Sequence, residues 1–172
     1  APLVAQARAV GAPTVLFSAH GLPKRISDAG DPYAHHTRQT ARAVATELGL
    51  ADQEWFLCYQ SRVGRLEWIG PSTDDEIRRA GAAKSPVVVV PIAFVSEHSE
   101  TLVELDIEYR TMAEGAGVPA YFRAPSLGVS EAFIQGLAGM VRDAVNGDLG
   151  ACVSVSGRLC PSPMCGQNEG AI

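Results

Sequence analysis

The chain has 172 residues, 47% hydrophobic and 19% charged, with a mean hydropathy of +0.07, a balance that excludes intrinsic disorder and a fibrous architecture and fits one compact core. A formal net charge of -5 and an isoelectric point near 5.3 argue against a nucleic-acid partner, which is held by clustered Lys and Arg. The longest apolar run, Pro86 to Val95, falls well short of the roughly 20 residues that cross a bilayer.

The amino terminus, Ala1 to Ala5, lacks an initiator Met and the basic-then-apolar pattern of a signal peptide, and reads as an internal cut. Thr14 to Ala19 is a compact apolar run that predicts a buried strand ending at His20-Gly21. After a loop rich in Gly, Asp and Pro, Asp31 and Pro32 open a helix to about Leu48, which Gly49 stops. His35 and His36 are adjacent on this helix, do not share a face, and read as surface residues. Glu54 to Gln60 predicts a strand, Thr73 to Ala83 a helix capped by Ser72 or Thr73, and Val87 to Ile92 a strand covered on both faces. A helix over Ser99 to Ala113, a strand over Ala120 to Arg123 and an amphipathic helix over Ser130 to Val145 complete the series.

Four strand-helix units with short links imply an α/β fold, a Rossmann-like, doubly wound, four-stranded parallel sheet with helices on both faces. Reactive groups in such sheets gather beyond the carboxyl ends of the strands, where both His20 and the segment Glu97 to Glu100 fall. Residues 1–148 form this domain. Residues 149–172 lose periodicity and hold Cys152, Cys160 and Cys165. With Cys58 these are too few and too unevenly spaced for a secreted disulfide scaffold, so a reducing compartment is expected.

Glu100, Glu104 and Glu108 recur at spacings of four and form one stripe on a helix, with Leu102 and Leu105 toward the core. Like charges at that spacing repel, and no Lys or Arg lies between Glu97 and Glu108. Spacing alone leaves two readings open, a path for divalent cations and a solvated acidic face. A π-type bulge would bring the carboxylates closer into line. His98 at the helix entrance and His20 on another strand end favour the first reading, because imidazole with carboxylate suits Fe(II) or Zn(II), and carboxylates accept protons.

Five motifs in order, Ser18 to Pro23, Gly30 to Tyr33, Tyr59 to Gly64, Trp68 to Pro71 and Pro91 to Leu102, resemble the signatures of the ferrochelatases, over roughly Val15 to Val145. The resemblance implies insertion of ferrous iron into a porphyrin, protoporphyrin IX being favoured. It makes His20 and Glu100 the catalytic pair, and His20, His98, Glu100, Glu104 and Glu108 the residues that meet the metal. Trp68 and Tyr59 become pocket aromatics that contact substrate. It also implies that this chain is the carboxyl-terminal one of two similar halves of a class II chelatase fold, inactive without its amino-terminal partner half.

A cysteine-containing extension resembles that of bacterial members with a [2Fe-2S] cluster, which makes Cys152, Cys160 and Cys165 cluster ligands and leaves a fourth to the other half. A cytoplasmic setting, at most peripheral contact with the inner face of the membrane, and a homodimer are the further implications. Two alternatives stay open: a non-catalytic metal- or haem-binding module, and a chelatase for another tetrapyrrole such as coproporphyrin III.

Overall fold

The computed structural model describes residues 1–147 and two short antiparallel segments, Val153–Ser154 and Gly157–Arg158. Four strands form the sheet: β1 (Thr14–His20), β2 (Trp55–Gln60), β3 (Val87–Pro91) and β4 (Tyr121–Arg123). All pair in parallel, in the order β2-β1-β3-β4. The chain therefore leaves β1 toward one edge to form β2 and returns past it to form β3. This reversal of direction is the switch point at which the ends of neighbouring strands diverge and a crevice opens.

Side-chain alternation along the strands divides the core in two. Val15, Phe17 and Ala19 pack with Val4 and Ala7 of α1 (Pro2–Arg8) and with Ala41 and Ala45 of α3 (Tyr33–Glu47). Leu16, Cys58, Val87 and Val89 face the other way, against Ile77 and Ala80 of α4 (Thr73–Ala82) and Tyr109 and Ala113 of α6 (Tyr109–Ala116). The doubly wound layer expected from the sequence is thus observed, with helices on both faces. Gly81 lets α4 and α6 touch: a Cβ there would lie 2.4 Å from the Ala116 carbonyl oxygen.

Three differences from the sequence reading have local causes. The lead before β1 is helical, because Leu3, Val4 and Ala7 find the β3 side of the core to pack on. A short helix α2 (Lys24–Asp28) interrupts the loop after β1. The helix expected over Ser99 to Ala113 is three pieces, α5 (Ser99–Leu102), a π segment (Glu104–Glu108) and α6. Within it the Val103 carbonyl accepts from both Ile107 and Glu108, and Tyr109 N–H reaches back five residues to Glu104.

The last helix, α7 (Glu131–Val145), buries none of its residues, and its apolar stripe of Ile134, Leu137, Val141 and Val145 is exposed. No helix among the described residues is long and apolar enough to cross a membrane. Cys152, Cys160 and Cys165 lie outside the described residues.

Candidate active site

His20 is the last residue of β1, with its side chain about 42% exposed. Its Nδ1 sits 2.7 Å from the Gly21 carbonyl oxygen. A carbonyl can only accept, so Nδ1 carries the ring proton and Nε2 presents a lone pair. Tyr33, at the start of α3, donates its hydroxyl to the His20 carbonyl at 3.0 Å and fixes the strand end. Burial, reinforced by neighbouring Tyr59, pushes the Tyr33 phenol up to about 12, so it remains a donor. Gly21 admits no side chain, since a Cβ would stand 2.9 Å from the Gln60 carbonyl oxygen and 3.0 Å from the Trp68 ring.

Across the crevice, the chain after β3 passes through Ala93 in the left-handed region (φ 66°) and reaches His98, which caps α5. His98 Nδ1 accepts the Glu100 N–H at 3.2 Å, so that nitrogen is committed to the cap. Glu100 then points one carboxylate oxygen at His20 Nε2, 3.5 Å away, and the other at His98 Nδ1, 3.8 Å away. His20 Nε2 and the Glu100 carboxylate thus face each other with no proton between them, while the His98 Nδ1 lone pair is taken by the Glu100 N–H. Such a pair can accept a proton or meet a cation.

Glu104 is held differently. The Ser61 N–H (2.7 Å), Tyr109 hydroxyl (2.9 Å) and Gln60 Nε2 (3.0 Å) all donate to its carboxylate, and so does the Ser61 hydroxyl. Ser61 takes up φ 57° to aim both of its donors. Tyr109, buried and beside the charges of Glu104 and Asp74, has its phenol raised far above the ordinary range and stays protonated. Glu108 is exposed. Glu104 and Glu108 line a cavity of about 500 Å³ together with Tyr59 and Trp68, while His20, His98 and Glu100 lie outside that lining. Tyr59 lines the cavity but is buried in the α3-side core. The Trp68 indole Nε1 is buried with no hydrogen-bond partner among the described residues. The five residues expected to meet metal therefore fall into two groups, His20-His98-Glu100 and Glu104-Glu108. Among the described residues no three His, Cys, Asp or Glu side chains converge closely enough to cage a metal ion.

A family model for ferrochelatase matches residues 3–145. The chain belongs to the ferrochelatase family. Curated ferrochelatases from Caulobacter vibrioides and Rickettsia prowazekii are 53% and 47% identical to it, over 94% and 86% of this chain. Those alignments cover 48% and 44% of the two relatives, so the chain spans about half the length of the curated relatives it matches. Among solved structures, a putative cobalamin biosynthesis CbiX protein from Marinobacter aquaeolei superposes with a TM-score of 0.53 at 16% identity, over 78% of this chain and 98% of that one. That likeness shows the fold, and nearly all of the CbiX chain is accounted for by it.

Sequence reasoning singled out the ferrochelatase-like residues that face the crevice but missed those that hold them. Tyr33, Gln60, Ser61 and Tyr109 support His20, Glu100 or Glu104 by hydrogen bonds, and Ser18 holds the Gln60 amide in turn. Four of the five lie inside the motifs that carry the family resemblance, which was the available signal. Cys58 is completely buried, donates to the Phe17 carbonyl, and burial pushes its thiol up to about 12. A group held so firmly as the thiol does not suit a thiolate cluster ligand.

Proposed function

We propose that this chain supplies the metal-side wall of an enzyme that inserts ferrous iron into a porphyrin, protoporphyrin IX by preference, to form haem. The observation that carries the reading is the lone pair of His20 Nε2 facing the Glu100 carboxylate at 3.5 Å across the sheet's switch point. Metal insertion breaks two pyrrole N–H bonds and forms metal-nitrogen bonds in their place, with no change in the oxidation state of iron. Two protons must leave. His20 Nε2 accepts one and Glu100 the other, and both groups are open enough to pass them to water. Ferrous iron is the second substrate, and mixed imidazole and carboxylate donors suit it. His98, whose Nδ1 accepts the Glu100 N–H and whose Nε2 therefore carries the proton, must leave the cap before it can meet the metal, and exposed Glu108 adds charge on the approach. Glu104, already saturated by donors, would first have to release some of them.

The remaining half of the polypeptide, by the lengths of the relatives, supplies the opposite wall of the porphyrin cleft, and this chain alone does not turn over. We propose a cytoplasmic setting with it, on the resemblance. The test is anaerobic metallation by the complete polypeptide with Fe(II) or Zn(II), using protoporphyrin IX and coproporphyrin III in parallel. His20→Ala and Glu100→Gln should each lower kcat by roughly 10²- to 10⁴-fold, the range for loss of a general base. Near-normal turnover in either variant removes that residue from the mechanism. Tight tetrapyrrole binding without turnover in the complete polypeptide would favour the non-catalytic module.

A [2Fe-2S] cluster on Cys152, Cys160 and Cys165 is proposed on the resemblance of the extension to that of cluster-bearing bacterial family members, with the fourth thiolate from outside this chain. The burial of Cys58 supports looking there. Such a cluster would brace the extension against the rest of the enzyme and takes no part in the proton steps. Visible absorption with iron and sulfide analysis of the anaerobic protein tests it, and a colourless, iron-free protein with an intact tail overturns it.

A further inference from the structure

Gln60 is the last residue of β2, only 1% exposed, and its amide is used on both sides. Its Oε1 accepts from the Ser18 hydroxyl at 2.9 Å, which fixes which way the amide faces. Its Nε2 then donates to the Glu100 backbone carbonyl at 2.7 Å and to the Glu104 carboxylate at 3.0 Å. One neutral side chain thus joins the end of β1, the end of β2, the first turn of α5 and the π segment. Its backbone carbonyl also receives the Gly21 N–H at 2.8 Å, directly beside His20.

We propose that Gln60 is the positioning residue of the site: it grips the Glu100 carbonyl and the π segment and so sets the Glu100 carboxylate opposite His20 Nε2. The inference rests on the chelatase reading above and adds to it the device that aligns the pair. The chemistry of the position selects an amide. The site demands two donors toward Glu100 and Glu104 and one acceptor toward Ser18, and among side chains of this length only Gln provides them. Glu would set a carboxylate against the Glu100 carbonyl and against Glu104. Met has the length and neither the donors nor the acceptor. The other donors to Glu104, from Ser61 and Tyr109, hold the π segment without touching Glu100. Gln60 therefore couples the strap to the reacting carboxylate, whereas Ser61 and Tyr109 only tie it down.

The experiment is the pH profile of kcat for porphyrin metallation by the complete polypeptide, in the parent, Gln60→Met and Gln60→Asn. Gln60→Met should retain porphyrin KM within about twofold, lose 10- to 100-fold in kcat, and displace the limb of the profile set by the His20-Glu100 pair by at least half a pH unit. Gln60→Asn keeps the amide one methylene short and should fall between the two. A merely structural Gln60 would scale the profile down by the fraction of protein misfolded without moving its limb. A limb superimposable on the parent's, an unchanged kcat, or failure of both variants to fold overturns the proposal. An inactive parent overturns the chelatase reading itself, so the two failures are told apart.

Discussion

The two flanks of the acidic element from Glu97 to Glu108 are neutralised in different ways. On one flank, Arg123 from β4 reaches across to Asp106 and Glu97, and the guanidinium is only 9% exposed. The hydrogen bonds that Arg123 donates to Asp106, and with less effect to Glu97, hold it protonated far above the ordinary range against the effect of burial. On the other flank no Lys or Arg among the described residues pairs with Glu100 or Glu104. Glu104 is met by neutral donors, and Glu100 by two histidine rings. Carboxylates without a cation partner are the ones that can meet a charge arriving with substrate, which is what the proposed function asks of Glu100. The absence of Lys and Arg within the segment concealed this asymmetry, because the compensating cation comes from a strand 17 residues beyond Asp106.

Breaking each flank should therefore give a different phenotype. The largest effect is expected from Glu100→Gln: roughly 10²-fold or more in kcat for metallation, with the urea midpoint of the complete polypeptide almost unchanged, since Glu100 is half-exposed. Arg123→Met should do the reverse. It strands Glu97 and Asp106 beside the sheet and should cost about 3 kcal/mol in a urea titration, the low end for a broken buried pair because both acids keep about a third of their exposure. A stability loss in the first variant that matches the second would erase the distinction between the flanks.

Tyr109→Phe tests the neutral grip. It removes one of several donors from Glu104 while Gln60 and Ser61 remain, so the cost should be about 1 kcal/mol, the usual net worth of one hydrogen bond. A cost of several kcal/mol would mean that the phenol alone holds the π segment.

The fold was legible because its signals are local. The continuous apolar runs Thr14 to Ala19 and Val87 to Val90 become central strands, Gly49 ends α3 with φ 63°, and Ser72 caps α4 through the Asp75 N–H. What the sequence left open was nonlocal. Leu3, Val4 and Ala7 are too few to announce a helix until a core is there to receive them. The π segment depends on a carboxylate gripped from another strand, which no spacing on the helix itself can express. His20, His98 and Glu100, legible from their types and strand-end positions, do meet, whereas Glu104 and Glu108 line the cavity beside Tyr59 and Trp68. Gln60 lies within a motif yet its role is not legible there, because an amide shows its role only when its partners are known.

The smallest effect expected is the pH response of the compensated flank. Burial alone would raise the Glu97 carboxyl, but hydrogen bonds from Thr101, Arg123 and the Ser126 N–H, with the charge of Arg123, outweigh it and hold the group at about 2, against 4.5 for an ordinary Glu. The folded state therefore keeps this carboxylate ionised at a pH where the unfolded chain has already taken up a proton. Its contribution to stability is complete above about pH 4.5, shrinks as the pH falls, and is gone below about 2. Urea midpoints of the parent and of Glu97→Gln should differ at pH 6, differ less at pH 4, and converge at pH 2. A gap that stays constant across that range would mean that Glu97 acts on Arg123 by shape alone, and the two flanks would then differ in geometry but not in charge.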